Sequence, residues 1–241
     1  MTDTRKTAIV TGASQGIGAA LVEEYLKRGY AVVANSRNIT KTNSSPRSAS
    51  LALIDGDIGD PKTAEKLVGA ALSRFGRIDV LINNAGILIA KPFTEYTTED
   101  LNALVSTTMA GFLYLSQRVV KEMVEQGSGS IVNISTTLVD HPVAGVPVTV
   151  QVMAKGSLNA ATRALAMEYV KEGIRVNTVA LGVIKTPMHK RETYEFFKGL
   201  HPMNRMGEIK EVVDAVLFLT DATFTTGETL HVDGGAHVGK W

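Results

Sequence analysis

The run TGASQGIG at residues 11–18 places Gly12, Gly16 and Gly18 between a short apolar run, TAIVTG (7–12), and a helical stretch that starts near Ile17. Glycines in such a turn let backbone amides approach a pyrophosphate closely, and the start of the helix adds favourable charge. The spacing is not GxGxxG, so plain turn chemistry is the competing explanation. A second place of interest is VTVQVMAKGSLNAATRALA (148–166), where Gln151 and Lys155 stand four residues apart. A glutamine amide donates and accepts hydrogen bonds but cannot give up a proton at ordinary pH. There are no cysteines, which excludes disulfides, thiol nucleophiles and thiolate metal sites. The five histidines, at 141, 189, 201, 231 and 237, form no HExxH or close ligand pair, so no metal site is expected.

These residues need elements to hold them. Strand-like and helix-like segments alternate along the chain, the pattern of a parallel sheet covered on both faces. Strands are expected at 7–12, 30–36, 52–57, 77–86, 128–136, 174–180 and 228–235. Helices are expected at about 17–28, 61–75, 99–126, 150–172 and 208–220, with Asp60 as cap and Pro61 in the first turn of the second. The polar stretch 37–50 reads as an exposed loop. With 241 residues, no repeat and no linker, one domain over 1–241 is expected.

Twenty-five basic and 24 acidic residues leave a formal charge of +1, which gives no reason to expect nucleic acid or an anionic membrane as partner. The first residues enter a strand pattern without room for a signal peptide, and no apolar run reaches spanning length. A soluble, cytoplasmic protein is expected.

TGxxxGxG at 11–18, NNAG at 83–86, the lysine opening the helix after the fifth strand, IRVNTVALGVIKTP (174–187) and VDGG (232–235) together resemble the short-chain dehydrogenase/reductase family over almost the whole chain. The resemblance implies a Rossmann-type, doubly wound parallel sheet of seven strands that binds NAD(H) or NADP(H), often as a tetramer. By it, Gly12, Ser14, Gln15, Gly16, Ile17 and Gly18 cradle the phosphates, and Asp57 and Ile58 meet the adenine. Asn84, Ala85 and Gly86 line the adenosine side, and Ile184 and Thr186 lie by the nicotinamide. At the end of the second strand an acidic side chain would favour NAD. Ser36 and Arg37 stand there instead. Serine leaves room for a phosphate and a guanidinium can clasp one with paired donors, so NADP(H) is favoured over NAD(H). Lys41 is placed to assist.

The family's active site is a tetrad of Asn, Ser, Tyr and Lys. Lys155 keeps the lysine position, where it would hold the nicotinamide ribose and place positive charge beside the substrate. Thr108 stands at the Asn position and Thr136 at the Ser position, with Ser135 and Thr137 as alternatives. Gln151 replaces the tyrosine, whose phenol has a proton that a lysine can make more acidic. Losing a positioned general acid costs about 10²–10⁴-fold in rate. Three readings are open: delivery of the proton by Lys155 or a water it holds; delivery by His141 or Tyr194; or nucleotide binding without turnover, as a regulatory or structural subunit. An NADP(H)-dependent reductase of a carbonyl compound is preferred to the non-catalytic subunit, with the source of the proton left open.

Residues 186–207 are expected, by the resemblance, to close over the substrate, and their Met188, Phe196, Phe197 and Met203 suit a moderately apolar compound. Leu181 replaces a proline usual in the family, which leaves the following loop less rigid. The helices expected near 99–126 and 150–172 both carry more apolar and small residues than one buried face requires, with alanines spread around SLNAATRALAMEYV (157–170). This suggests packing across a boundary in a homodimer or homotetramer, and Trp241 is a candidate for burial by a neighbouring subunit.

Overall fold

The computed structural model describes residues 5–42 and 48–239. Along the chain run β1 (Thr7–Thr11), α1 (Gly16–Lys27), β2 (Ala31–Ser36), α2 (Ile39–Thr42), β3 (Leu51–Asp55), α3 (Pro61–Phe75) and β4 (Val80–Asn83). Then come α4 (Thr98–Leu104), α5 (Gly111–Gln126), β5 (Gly129–Thr136), α6 (Thr149–Glu168) and β6 (Ile174–Leu181). The last elements are α7 (Tyr194–Lys198), α8 (Ile209–Asp221) and β7 (Thr229–Val232).

All seven strands pair in parallel in one sheet, in the order β3-β2-β1-β4-β5-β6-β7. Parallel strands need crossover helices, and these cover both faces. β1 shows the consequence. Ala8 and Val10 point into one apolar layer with Leu21, Tyr25, Val212 and Val216, while Ile9 points into the other with Leu67, Leu81, Leu115 and Ile131. Chain order reverses between β1 and β4, and that switch point opens a crevice beyond the carboxyl ends of the strands.

Local chemistry sets several boundaries. Asp60 accepts from the Lys62 amide at 2.9 Å and Pro61 opens α3, as expected from the sequence. Arg175, on β6, donates to the carbonyls of Leu219, Thr220 and Ala222 and so satisfies the otherwise orphaned end of α8. A polar ladder crosses the sheet beneath the site. Asn83 Nδ2 donates to Asn133 Oδ1 at 2.8 Å, Asn133 Nδ2 to Thr162 Oγ1 at 2.8 Å, and Thr162 pairs with Thr178 at 2.7 Å.

Three elements differ from expectation. The single helix expected over 99–126 is α4, a π-helical turn (Val105–Ala110) and α5. The helix expected to Glu172 stops at Glu168 and is followed by a 3₁₀ turn, Val170–Glu172. The stretch 37–50 holds the short α2, anchored through Thr40 on Asp55, while residues 43–47 lie outside the described residues, as does Trp241.

Candidate active site

The β1–α1 turn is built for close approach. A Cβ on Gly12 would stand 2.8 Å from Ala85 Cα, and one on Gly18 would stand 2.3 Å from the Gly12 carbonyl oxygen, so neither position admits a side chain. Thr11 Oγ1 accepts from the amides of Asn84 (3.1 Å) and Ala85 (3.0 Å), and Asn84 Nδ2 donates to the Thr11 carbonyl at 2.8 Å. These bonds lock the 84–86 turn onto the glycine turn. Gln15 gives α1 no side-chain cap and its first turn carries no acid, so the leading amides remain open to an anion. That donor set fits a dinucleotide pyrophosphate.

One continuous cavity of about 650 Å³ runs from this turn to Lys155. Gly12, Ser14, Gln15, Gly16, Ile17 and Gly18 form one end, and Ser36, Arg37, Asp57 and Ile58 form the flank. Asn84, Ala85, Gly86, Ile184 and Thr186 line it as well, with Thr186 beside Gly16 and Gly86 beside Lys155, and so do Thr136 and Gln151. The flank is fixed by Asn35, whose amide donates to the Ile54 and Gly56 carbonyls, and by Asp57, which accepts from the Gly59 amide at 2.9 Å.

Lys155 is buried on α6, and its Nζ donates to the Ile134 carbonyl at 2.7 Å. It has no carboxylate partner among the described residues, and burial brings its ammonium down to about 8. A Cβ at Gly86 would stand 3.3 Å from Nζ, so glycine there leaves the ammonium open to the cavity. Gln151, one turn earlier, is also buried, and its Oε1 has no partner.

The three hydroxyls that compete for the serine position all line the cavity but differ in their engagements. Thr137 donates to Asp233 at 2.6 Å, and Ser135 donates to the Lys155 carbonyl at 3.4 Å. Thr136 makes two long contacts, donating to the Leu181 carbonyl and accepting from the Leu138 amide, both at 3.3 Å. Its hydroxyl is the easiest to redirect toward a ligand.

Other expected residues fall elsewhere. Thr108 lies in the π-helical turn, buried and with no partner for its Oγ1, and it is Thr107 that reaches the cavity wall. Lys41, His141 and Tyr194 are not on the wall, whereas His189 and His201 are. His189 packs edge-on against Phe197, with centroids 4.8 Å apart, and burial pushes its imidazole below the ordinary value. A cluster with no signature in the sequence lies beside Thr137. His231 stacks on His237 at 3.9 Å, and the two rings are hydrogen-bonded to Asp140 and Asp233 respectively. Apolar side chains also line the cavity, among them Leu138, Val143, Val146, Met188, Phe196 and Leu200.

Comparison with known proteins agrees with this architecture. The family model described as Enoyl-(Acyl carrier protein) reductase matches residues 12–237. A 3-oxoacyl-acyl-carrier-protein reductase of Buchnera aphidicola is 31% identical over 99% of this chain and 100% of its own length. A glucose 1-dehydrogenase of Gluconobacter oxydans is 33% identical over 95% of this chain and 91% of its own, and a tropinone reductase homolog of Arabidopsis thaliana is 36% identical over the same shares. Among solved structures, ElxO with NADP bound superposes with a TM-score of 0.90 at 29% identity, covering 98% of this chain and 100% of that one. The chain belongs to the short-chain dehydrogenase/reductase family. Its relatives are oxidoreductases of that family, and the fold and crevice are those of a nicotinamide-nucleotide oxidoreductase.

Proposed function

We propose that this chain reduces an apolar, uncharged carbonyl compound with NADP(H), and that Lys155 is the proton source in place of a tyrosine. The observation that carries the reading is Lys155 itself: a buried ammonium, facing the cavity beside Gly86, tuned to about 8 with no carboxylate to hold its proton. An acid with its pKa near working pH is better matched to proton delivery than an unperturbed lysine. When bound, the nicotinamide supplies the hydride. Thr136 donates a hydrogen bond to the carbonyl oxygen, Gln151 offers its amide N–H to the same developing charge, and Lys155 releases the proton from Nζ. The apolar side chains lining the cavity exclude water from that oxygen.

Selection of NADP(H) rests on Ser36 and Arg37 at the end of β2, neither of which is a carboxylate that would bind both ribose hydroxyls or repel a phosphate. ElxO and a gluconate 5-dehydrogenase of Burkholderia cenocepacia have each been solved with NADP. Thr108 is retained as a candidate for holding a water near Lys155, because its buried hydroxyl lacks a protein partner.

The chain is proposed to act as one domain, with 186–207 covering the substrate, and to assemble as a homodimer or homotetramer. Leu101, Val105, Met109 and Leu113 are each 36–46% exposed at four-residue steps along α4, the π turn and α5. Four-residue steps drift around an α-helix, and the wider π turn takes up part of that drift, which keeps the stripe on one face. A second apolar face carries Phe218 and Phe224 near the β7 edge. Among the described residues no helix is long and apolar enough to cross a membrane.

One observation favours a non-catalytic nucleotide-binding subunit: the glutamine at 151 has no titratable proton. The deciding experiment measures NADPH and NADH oxidation with uncharged aldehydes, ketones and quinones beside sugar acids. Turnover is expected with NADPH and an apolar carbonyl, and lost in Lys155→Ala. Saturable NADPH binding without turnover on any of them would favour the binding subunit.

A further inference from the structure

The loop between β6 and Thr186 forms one wall of the cavity, and the residue that fixes it comes from a distant part of the chain. His201 follows α7, is 3% exposed, and accepts the backbone N–H of Val183 on its Nε2 at 2.9 Å. The imidazole lies flat against the loop: a Cβ at Gly182 would stand 2.6 Å from His201 Nε2 and 2.9 Å from Asp233 Cα. Neighbouring backbone bonds tie the loop to β7 and to Gly207 ahead of α8, with Gly182 N donating to Val232 O, Gly207 N to Val183 O and Lys185 N to Gly207 O. The Val183 N–H instead depends on a side chain, just past the end of β6 at Leu181.

We propose that His201 is a positioning residue whose neutral imidazole sets residues 182–186 against the cavity, and that protonating it releases this loop. An Nε2 that accepts from an amide cannot carry a proton, and a protonated ring would set two donors face to face. The charges facing the ring are few. Asp233, from the segment after β7, favours the imidazolium, but its carboxylate already accepts from Thr137, Gly235 and His237. Arg205, on the ring's own segment, opposes it. The carbonyls of Phe197 and Lys198 favour the imidazolium, but Nδ1 is buried and makes no hydrogen bond among the described residues. Burial is the largest effect and pushes the imidazole below its ordinary value, so the neutral, bonded form holds at neutral pH.

The test uses the apoprotein first. Protection of the Val183 amide from hydrogen exchange, normalised to its intrinsic rate, is expected to fall about tenfold from pH 7.5 to pH 5 as this bond is lost. His201→Gln keeps an acceptor at the same reach but does not titrate, so its protection is expected to stay level over that range. NADPH binding by fluorescence is the second readout, and it rests on the proposed cofactor. Affinity is expected to fall about tenfold in His201→Phe at pH 7.5, to be recovered largely by His201→Gln, and to lose its acid limb in both. An acid limb in His201→Gln equal to the wild type, or Val183 protection independent of pH in the wild type, overturns the proposal. Loss of Val183 protection on acidification in a protein that binds no NADPH would leave this inference standing and remove the proposed cofactor instead. If His201→Phe does not fold, the glutamine variant carries the comparison alone.

Discussion

Lys155 is under two opposed demands. Chemistry wants an ammonium near its own pKa, while burial penalises the charge. The folded value of about 8 lies below the ordinary value of 10.5, so between those values the unfolded chain holds more protons than the folded one. Stability therefore rises with pH from about 8 to about 10.5, and below that window the buried ammonium is a fixed cost. Lys155→Met, similar in volume and uncharged, is expected to raise the Tm of the apoprotein at pH 7 by roughly 3–8 °C. The gain should shrink toward zero by about pH 10, where the lysine is neutral in the fold. Calorimetry of both proteins at pH 7 and pH 10 checks this, and an equal or lower Tm for the variant at pH 7 would argue against a penalised charge. The position of Lys155 is legible from its place at the start of the helix after β5. The cost it imposes is not, because that depends on Ile134, Gly86 and the absence of a nearby carboxylate, all set by tertiary structure.

Elements are legible in the sequence to the degree that their determinants are local. Asp60 and Pro61 announce α3, and the glycines of 12–18 announce the first turn, because capping and close approach are chemistry of adjacent residues. The π turn at Val105–Ala110 depends on Gly111 packing against Ile58, where a Cβ would stand 2.8 Å from a methyl, and that pairing is invisible to periodicity. The same holds for the ladder through Asn83, Asn133, Thr162 and Thr178. Asn133→Ala removes one bond each from the Asn83 amide and the Thr162 hydroxyl, which keep Ser116 and Thr178 as partners, and is expected to cost about 2–4 kcal/mol, or roughly 5–12 °C in Tm. Denaturant melts would show it, and a loss below about 1 kcal/mol would mean that the ladder relaxes around the gap. At the end of β2, Arg37→Ala is expected to weaken NADPH binding by about 10–100-fold while leaving NADH within about a factor of two. Titration calorimetry with both nucleotides checks it, and an equal loss for both would place Arg37 away from the 2′-phosphate.

For the molecule as a whole, alternation of strand and helix patterns makes the seven-stranded sheet readable, since each crossover must bury one stripe against one face. Assembly is less readable. The apolar excess of the 99–126 and 150–172 stretches suggests a boundary on either, and only the fold shows that Leu101, Val105, Met109 and Leu113 along α4, the π turn and α5 are left uncovered by their own sheet. Met109→Glu together with Leu113→Glu puts two charges in that stripe, and light scattering is expected to show at least a halved mass with far-UV dichroism unchanged. An unchanged mass would move the interface to the face of Phe218 and Phe224. Proton delivery from a buried lysine is the central claim, and it ties the pH dependence of the reaction to that ammonium. The most direct measurement is kcat for NADPH-dependent reduction of an apolar ketone from pH 6 to pH 10, for the wild type and for Lys155→Met. The account predicts a plateau at low pH, a tenfold fall per unit above about 8, and no turnover in the variant. A rate that stays level through pH 9, or that survives the loss of Lys155, would contradict it.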